Sequence, residues 1–194
     1  MKAELYNVDT ALITEHTVVR RFRENEGILL YPLIADNYSR LGEHFSVTLH
    51  HITSKEIAEF FVRKKIASWI LQEEYNFGVW EKDTAKLIGF IRIFNIDWNL
   101  PKGEVDFFID RDYTQMGTMT EVLRAINDFG FQQLKLEKLK LTISIDNQSA
   151  QRLARKCQYR REGDLRSEMK KENGEIIDVM VFGLTKTEFF GMDS

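Results

Sequence analysis

The sequence predicts one α/β domain of the α+β kind, with a mixed and mostly antiparallel central sheet flanked by helices. Three observations predict it. Three strand-like runs follow one another, Phe77 to Glu81, Lys86 to Ile96 and Glu104 to Ile109, and make an antiparallel meander in the middle of the chain. Stretches with apolar residues at helical spacing stand on both sides of that meander. The 194 residues, 43% of them hydrophobic, suffice for one sizeable core and show no shift in composition that would divide it.

Taken in order, Thr17 to Phe22 alternates and reads as the first strand. From Ile28 to Leu41 the residues Leu29, Leu33, Ile34, Tyr38 and Leu41 recur at helical spacing, with Pro32 expected in the first turn or at a kink. Thr53 and Glu56 have capping-box spacing ahead of Ile57, Phe60, Phe61, Ala67, Ile70 and Leu71, which predicts a long second helix. The first two strands of the meander are joined by a polar turn, Lys82 to Ala85. After a loop from Asp110 to Gly117, the residues Met119, Val122, Leu123, Ile126 and Leu134 share one face of a helix. Lys138 to Ile145 reads as a strand and Asn147 to Cys157 as a helix. Tyr159 to Asp164 and Ile177 to Thr185 read as closing strands around an Asn173-Gly174 turn. The predicted order is β-α-α-β-β-β-α-β-α-β-β, a single domain over 1–194 with its core at about 17–189 and a frayed tail from Gly191 to Ser194.

Charge and cysteine content exclude several classes. With 27 basic and 30 acidic residues mixed along the chain, no basic field argues for direct contact with nucleic acid. The lone Cys157 cannot form an internal disulfide and fits a reducing compartment. Met1 to Val19 alternates polar and apolar residues and lacks the apolar core of a signal peptide, and no later run approaches the roughly 18 apolar residues of a membrane span. The expectation is a cytoplasmic protein without a membrane partner, its oligomeric state left open by the residues.

The chemistry concentrates between Glu104 and Leu134. A helix whose first turn follows a glycine leaves its leading N–H groups free, and with the helix dipole these favour an anion. Gly117 stands where that turn begins. A side chain there would obstruct a phosphate, and would cost about 1–3 kcal/mol if the backbone needs a positive φ. One glycine before a helix is also an ordinary turn, and neither G-x-x-x-x-G-K-[ST] nor G-x-G-x-x-G is present.

The run EVDFFIDRDYTQMGTMTEVLRAINDFGF, then DNQSAQRLARKCQYRREG and DVMVFGLTKTEF, resembles the GNAT acyltransferase superfamily, most closely its ribosomal-protein N-acetyltransferase (RimJ/RimL-like) branch, over Thr17 to Phe189. The resemblance implies a GNAT-like sheet and an N-acetyltransferase that moves an acetyl group from acetyl-CoA, its co-substrate, directly to a primary amine. The acceptor would be a protein amino terminus or a small molecule. In the family the loop Q/R-x-x-G-x-G/A cradles the pyrophosphate, and Thr114, Gln115, Met116, Gly117, Thr118 and Met119 occupy it here, with Thr120 next. Gly117 matches strictly. Thr114 replaces Gln or Arg, and Gln115 stands where this branch commonly has a second glycine.

Glu104 stands where many members carry a general base, and Asp106, two residues on, lies on the same strand face. A solvated or salt-bridged strand face is the other reading of the pair. By resemblance the backbone at Phe108 and Ile109 holds the pantetheine arm and acetyl carbonyl, whereas by itself the pair reads as core packing. Asn147 matches the asparagine of the family's N-x-x-S segment, and equally suits an ordinary helix cap. The serine of that segment falls on Ala150, with Ser149 out of register, and a tyrosine acid used by other members falls on Ala154. No thiolate donor is therefore evident, and Tyr31, Tyr38 and Tyr113 stay open.

His16, His44 and the His50-His51 pair lack metal-ligand spacing, so no metal is expected, and Cys157 reads as a buried structural thiol. A non-catalytic acyl-CoA-binding or partner-binding module of the same fold remains the alternative, as does a polyamine or antibiotic acetyltransferase. Substrate is expected to enter between the first two helices and the final hairpin.

Overall fold

The computed structural model describes residues 11–44, 49 and 51–191, the side chains of 42–44 excepted. His50, the His44 side chain, the first ten residues and the tail beyond Gly191 lie outside that description. Among the described residues eight strands form one sheet: β1 (Ala11–Ile13), β2 (Thr17–Arg21), β3 (Tyr75–Glu81), β4 (Leu87–Asp97), β5 (Lys102–Ile109), β6 (Lys138–Ser144), β7 (Arg160–Lys170) and β8 (Ile176–Thr185). Their spatial order is β1-β2-β3-β4-β5-β6-β8-β7, and every pairing is antiparallel except that of β5 with β6. The helices are α1 (Gly27–Asp36), α2 (Tyr38–His44), α3 (Lys55–Ile70), α4 (Thr118–Asp128), α5 (Gln148–Lys156) and α6 (Lys186–Phe190). None of them is long and apolar enough to cross a membrane.

The mixed, mostly antiparallel sheet of the prediction is present, with additions at its margins. The expected helix from Ile28 to Leu41 is two helices parted at Asn37, whose side-chain Nδ2 donates to Leu33 O (3.0 Å), a bond that competes with the helical ladder. Pro32 sits inside α1 rather than in its first turn. The cap of α3 is Ser54, accepting from Ile57 N (3.3 Å), not Thr53. The helix expected through Leu134 leaves α-helical pitch at Phe129 and finishes as one π-turn, Phe129–Gln133. β7 runs on to Lys170, six residues past its expected end, as a nearly fully exposed outer strand.

Two apolar clusters sandwich the sheet. On one face Leu30, Ile34, Phe61 and Val62 of α1 and α3 meet Phe90 and Phe108. On the other, Val122, Leu123 and Ile126 of α4 meet Phe77, Ile91 and Leu141. The contact of α1 with α3 is close because Gly27 has no side chain: a Cβ there would lie 2.2 Å from the backbone N of Glu59. Glu59 in turn caps the start of α1 from the neighbouring helix, accepting from Asn25 N (2.8 Å) and Gly27 N (3.0 Å).

Since backbone must move to admit a methyl group at this crossing, Gly27→Ala is expected to destabilise the fold by about 2–3 kcal/mol. Urea unfolding of the variant beside the parent checks it; an unchanged midpoint would contradict this packing.

Candidate active site

β5 and β6 pair at only three rungs, Lys102 with Lys138, Gly103 with Leu139 and Glu104 with Lys140. Beyond them β5 stays on β4 and β6 stays on β8, so a gap opens inside the sheet. Which backbone groups face that gap follows from the alternation of an antiparallel ladder. Asp110 N donates to Ile88 O (2.7 Å), and the register is unshifted from Gly89↔Ile109 to Phe94↔Glu104. The main-chain groups of Phe108, Asp106 and Glu104 therefore point to β4, and those of Ile109 and Phe107 point into the gap. Of the pair expected to present backbone, Ile109 faces the gap and Phe108 does not; Phe107 takes its place, and Phe108 packs its ring on Phe90 (6.4 Å between centroids).

The gap opens into a cavity of about 610 Å³. Phe108, Ile109, Thr114, Gln115, Gly117, Met119, Thr120, Asn147 and Ser149 line it, as expected site residues; Met116, 70% exposed, and Thr118 are not among its walls. Gly117 caps α4 with φ +88°, and a Cβ built on it meets nothing within 4 Å, so the space over the helix start is open. Among the described residues no acceptor is bonded to the N–H groups of Gly117, Thr118 and Met119, the first free donors of the helix. Asn147 caps α5, its Oδ1 accepting from Ala150 N (3.0 Å), which leaves Nδ2 available as a donor. Both readings of that asparagine are compatible in one side chain.

Four cations that sequence reasoning missed also line the cavity: Arg40, Arg111, Arg152 and Lys156. Arg152 and Lys156 sit four apart on α5, a same-face spacing that could have marked them. Arg40 comes from α2, and only the fold brings it to the end of β5, where it donates to Ile109 O (3.4 Å).

Glu104 and Asp106 are on the α1/α3 face of β5, outside the cavity walls. Glu104 is on the last paired rung, where the strands part. Lys140 Nζ lies 2.9 Å from its Oε1, Asn95 Nδ2 3.4 Å from the same atom and Thr142 Oγ1 3.4 Å from Oε2. Asp106 accepts two bonds from Arg92 (2.8 and 2.7 Å), Arg92 reaches Glu74 (3.3 Å), and Glu74 receives Lys65 (2.7 Å), so Asp106 ends a four-membered charge network. Burial pushes the Asp106 carboxyl above its ordinary range while Arg92 pulls it back. The salt-bridged reading thus describes both carboxylates, more completely Asp106.

A model of the acetyltransferase (GNAT) domain matches residues 19–160. The chain belongs to the GNAT acetyltransferase family. Probable N-acetyltransferase YjcK of Bacillus subtilis (strain 168) is 30% identical over 99 residues, which cover 50% of this chain and 55% of YjcK, so the match spans about half of that relative. The ribosomal-protein-S5-alanine acetyltransferase structure from Vibrio fischeri superposes with a TM-score of 0.85 at 18% identity, covering 93% of this chain and 99% of that one. RimL, a ribosomal L7/L12 alpha-N-protein acetyltransferase in complex with coenzyme A, gives 0.84 at 16%, covering 91% and 98%. At such identities the two structures speak for the fold, a GNAT fold with its sheet parted between β5 and β6.

The remaining expected residues settle into place around this GNAT core. Ala154 is fully buried and Ala150 lines the cavity; among the described tyrosines only Tyr113 does so, from the loop beside the α4 start. Tyr38 Oη donates to Glu172 (2.5 Å) and ties the start of α2 to the final hairpin, across the expected substrate entrance. His16 meets its neighbour Glu15 and, across the fold, the half-buried Glu121, with one potential ligand atom of each within 4.8 Å. The hydrogen bond to Glu121 (2.9 Å) raises the His16 pKa.

Cys157 is buried, and burial pushes its thiol up to about 11. Ellman's reagent at pH 8 is expected to leave it unmodified in the native protein and to titrate one thiol after unfolding. Rapid native modification would remove the structural reading. Gln115 stands at φ +66°, a left-handed conformation that a side chain disfavours. Gln115→Gly is therefore expected to add about 0.5–1 kcal/mol of stability, and Gly117→Ala to remove about 1 kcal/mol, both read by chemical denaturation. A stability loss in Gln115→Gly would show that the glutamine side chain outweighs its backbone cost.

Proposed function

We propose that this protein transfers an acetyl group from acetyl-CoA directly to a primary amine, with the α-amine of a protein, of the ribosomal kind, as acceptor. The observation that carries the reading is the free edge of β5 ending beside the glycine-led start of α4. A linear arm with amides can bond to the edge, and a pyrophosphate can rest on the helix N–H groups with Arg40, Arg111, Arg152 and Lys156 around it. The family membership and the coenzyme A bound to the RimL neighbour support acetyl-CoA as that ligand. The Vibrio fischeri and RimL neighbours support a protein amino terminus as acceptor. A cytoplasmic setting goes with such an acceptor.

In this reading the N–H groups of Phe107 and Ile109 hold the arm and polarise the thioester carbonyl. Glu104 takes the proton of the attacking amine through water, with Asp106 as the possible substitute. Lys140, Thr142 and Asn95 fix the Glu104 carboxylate in direction. The transfer uses no metal. An α-amine with a pKa near ~7.7 needs little help at neutral pH, whereas a lysine-like amine near ~10.4 carries a deprotonation cost of about 4 kcal/mol.

Ala150 and Ala154, where relatives carry polar groups, favour a second reading, an acyl-CoA-binding module without catalysis. Release of free thiol from acetyl-CoA against a panel of peptide and small amines separates the two. The proposal expects release with peptide α-amines and a product heavier by one acetyl group. Turnover confined to polyamines or antibiotic amines would move the acceptor class, and binding without any release would leave the module. Glu104→Gln is expected to lower the rate about 10²-fold with the preferred amine; an unchanged rate across pH would remove Glu104 as base.

A further inference from the structure

We infer that Asn37 is a positioning residue for the cofactor, holding the Arg40 guanidinium and the Arg111 backbone against the cavity. The inference rests on the acetyl-CoA reading above. Asn37 is 2% exposed, and its carboxamide is saturated on both sides. Nδ2 donates to Leu33 O (3.0 Å) and to Asp110 Oδ1 (3.4 Å); Oδ1 accepts from Arg111 N (3.0 Å) and from Arg40 Nη1 (3.4 Å). The network dictates the amide's orientation, because only a donor suits a carbonyl and a carboxylate, and only an acceptor suits two N–H groups.

This one side chain joins three pieces of the molecule. It stands at the junction of α1 and α2, it fixes the second residue of the β5–α4 loop through the Arg111 N–H, and it steadies the guanidinium of Arg40. Arg40 is itself anchored on the other side by Ile109 O (3.4 Å), the last carbonyl of the free edge. Asp110, 7% exposed, completes the joint by accepting from Lys86 Nζ (3.3 Å). Asn37, Arg40 and Arg111 all line the cavity. One guanidinium, that of Arg40, and the backbone that carries a second cation, Arg111, are thus set by one buried amide. Losing that amide frees Arg40 to rotate into solvent and leaves the Arg111 N–H without its acceptor, so it acts on affinity for an anionic ligand before it acts on chemistry.

The test compares Asn37→Ala, Arg40→Gln and the double variant with the parent by steady-state kinetics and by calorimetric titration with coenzyme A. Asn37→Ala is expected to raise KM for acetyl-CoA and Kd for coenzyme A about tenfold, with kcat and the KM for the amine within about twofold. A purely structural residue would instead lower kcat with the active fraction and leave KM alone. Arg40→Gln removes an exposed side chain and is expected to act in the same direction, and the double variant to be no more than about twofold worse than Asn37→Ala. Unchanged affinity in Asn37→Ala, or effects that multiply, would overturn the inference. If Asn37→Ala does not fold, Asn37→Ser takes its place with the same criteria. Parent protein that binds no coenzyme A would overturn the acetyl-CoA reading itself. A parent that binds, beside variants that bind equally, overturns the role of Asn37 alone.

Discussion

Backbone N–H and C=O groups inside a sheet ordinarily find partners on both sides, and the parting of β5 from β6 after three rungs breaks that rule in the middle of this molecule. The break is possible because each strand keeps its outer neighbour, β4 for one and β8 for the other, so neither loses its place. The parallel sense of the pair adds a condition. Two parallel strands need a long crossover, and here that crossover is the loop, α4 and the π-turn. The helix that makes the connection therefore starts at the open end of the gap, and the unpaired edge and the free helix N–H groups arrive together from one topological fact.

The charge network beneath the sheet follows the same geometry. Arg92 and Asp106 face each other across β4 and β5, and Lys65 with Glu74 closes the line beneath α3. A pair so placed is weak evidence of net stability, since taking ions from water costs several kcal/mol that good geometry only offsets. It does hold α3 and the loop after it to the strand that bears the candidate base, so Glu104 is presented on a fixed surface.

Much of this arrangement could be read before the structure. α4 and α5 were legible because apolar residues recur on one face of each at helical spacing, and the meander because β3 and the first half of β4, buried on both faces, are short apolar runs parted by a polar turn. Gly117 and Asn147 were legible because helix starts demand particular residue types. The far half of β7 was not, since its residues are exposed on both faces and carry no alternation. Asn37, Arg40 and Arg111 were missed for another reason: their meeting depends on contacts across about seventy positions, for which local spacing holds no signal. The same applies to His16 with Glu121. Phe108 rested on the family resemblance, which assigns no parity; that its main chain faces β4 depends on a single bond outside the strand, Asp110 N to Ile88 O.

β7 bears on how copies of the molecule meet one another. It is the long outer rim of the sheet, eleven residues with Arg160, Arg161, Glu162, Asp164, Arg166, Glu168 and Lys170 among them. An unpaired rim of that length is a template for edge-to-edge growth, and apolar rims of this kind polymerise. Here a second copy would have to strip water from a row of mixed charges before gaining its first ladder bond. The residues that made the strand unreadable are those that oppose growth of the sheet at this rim.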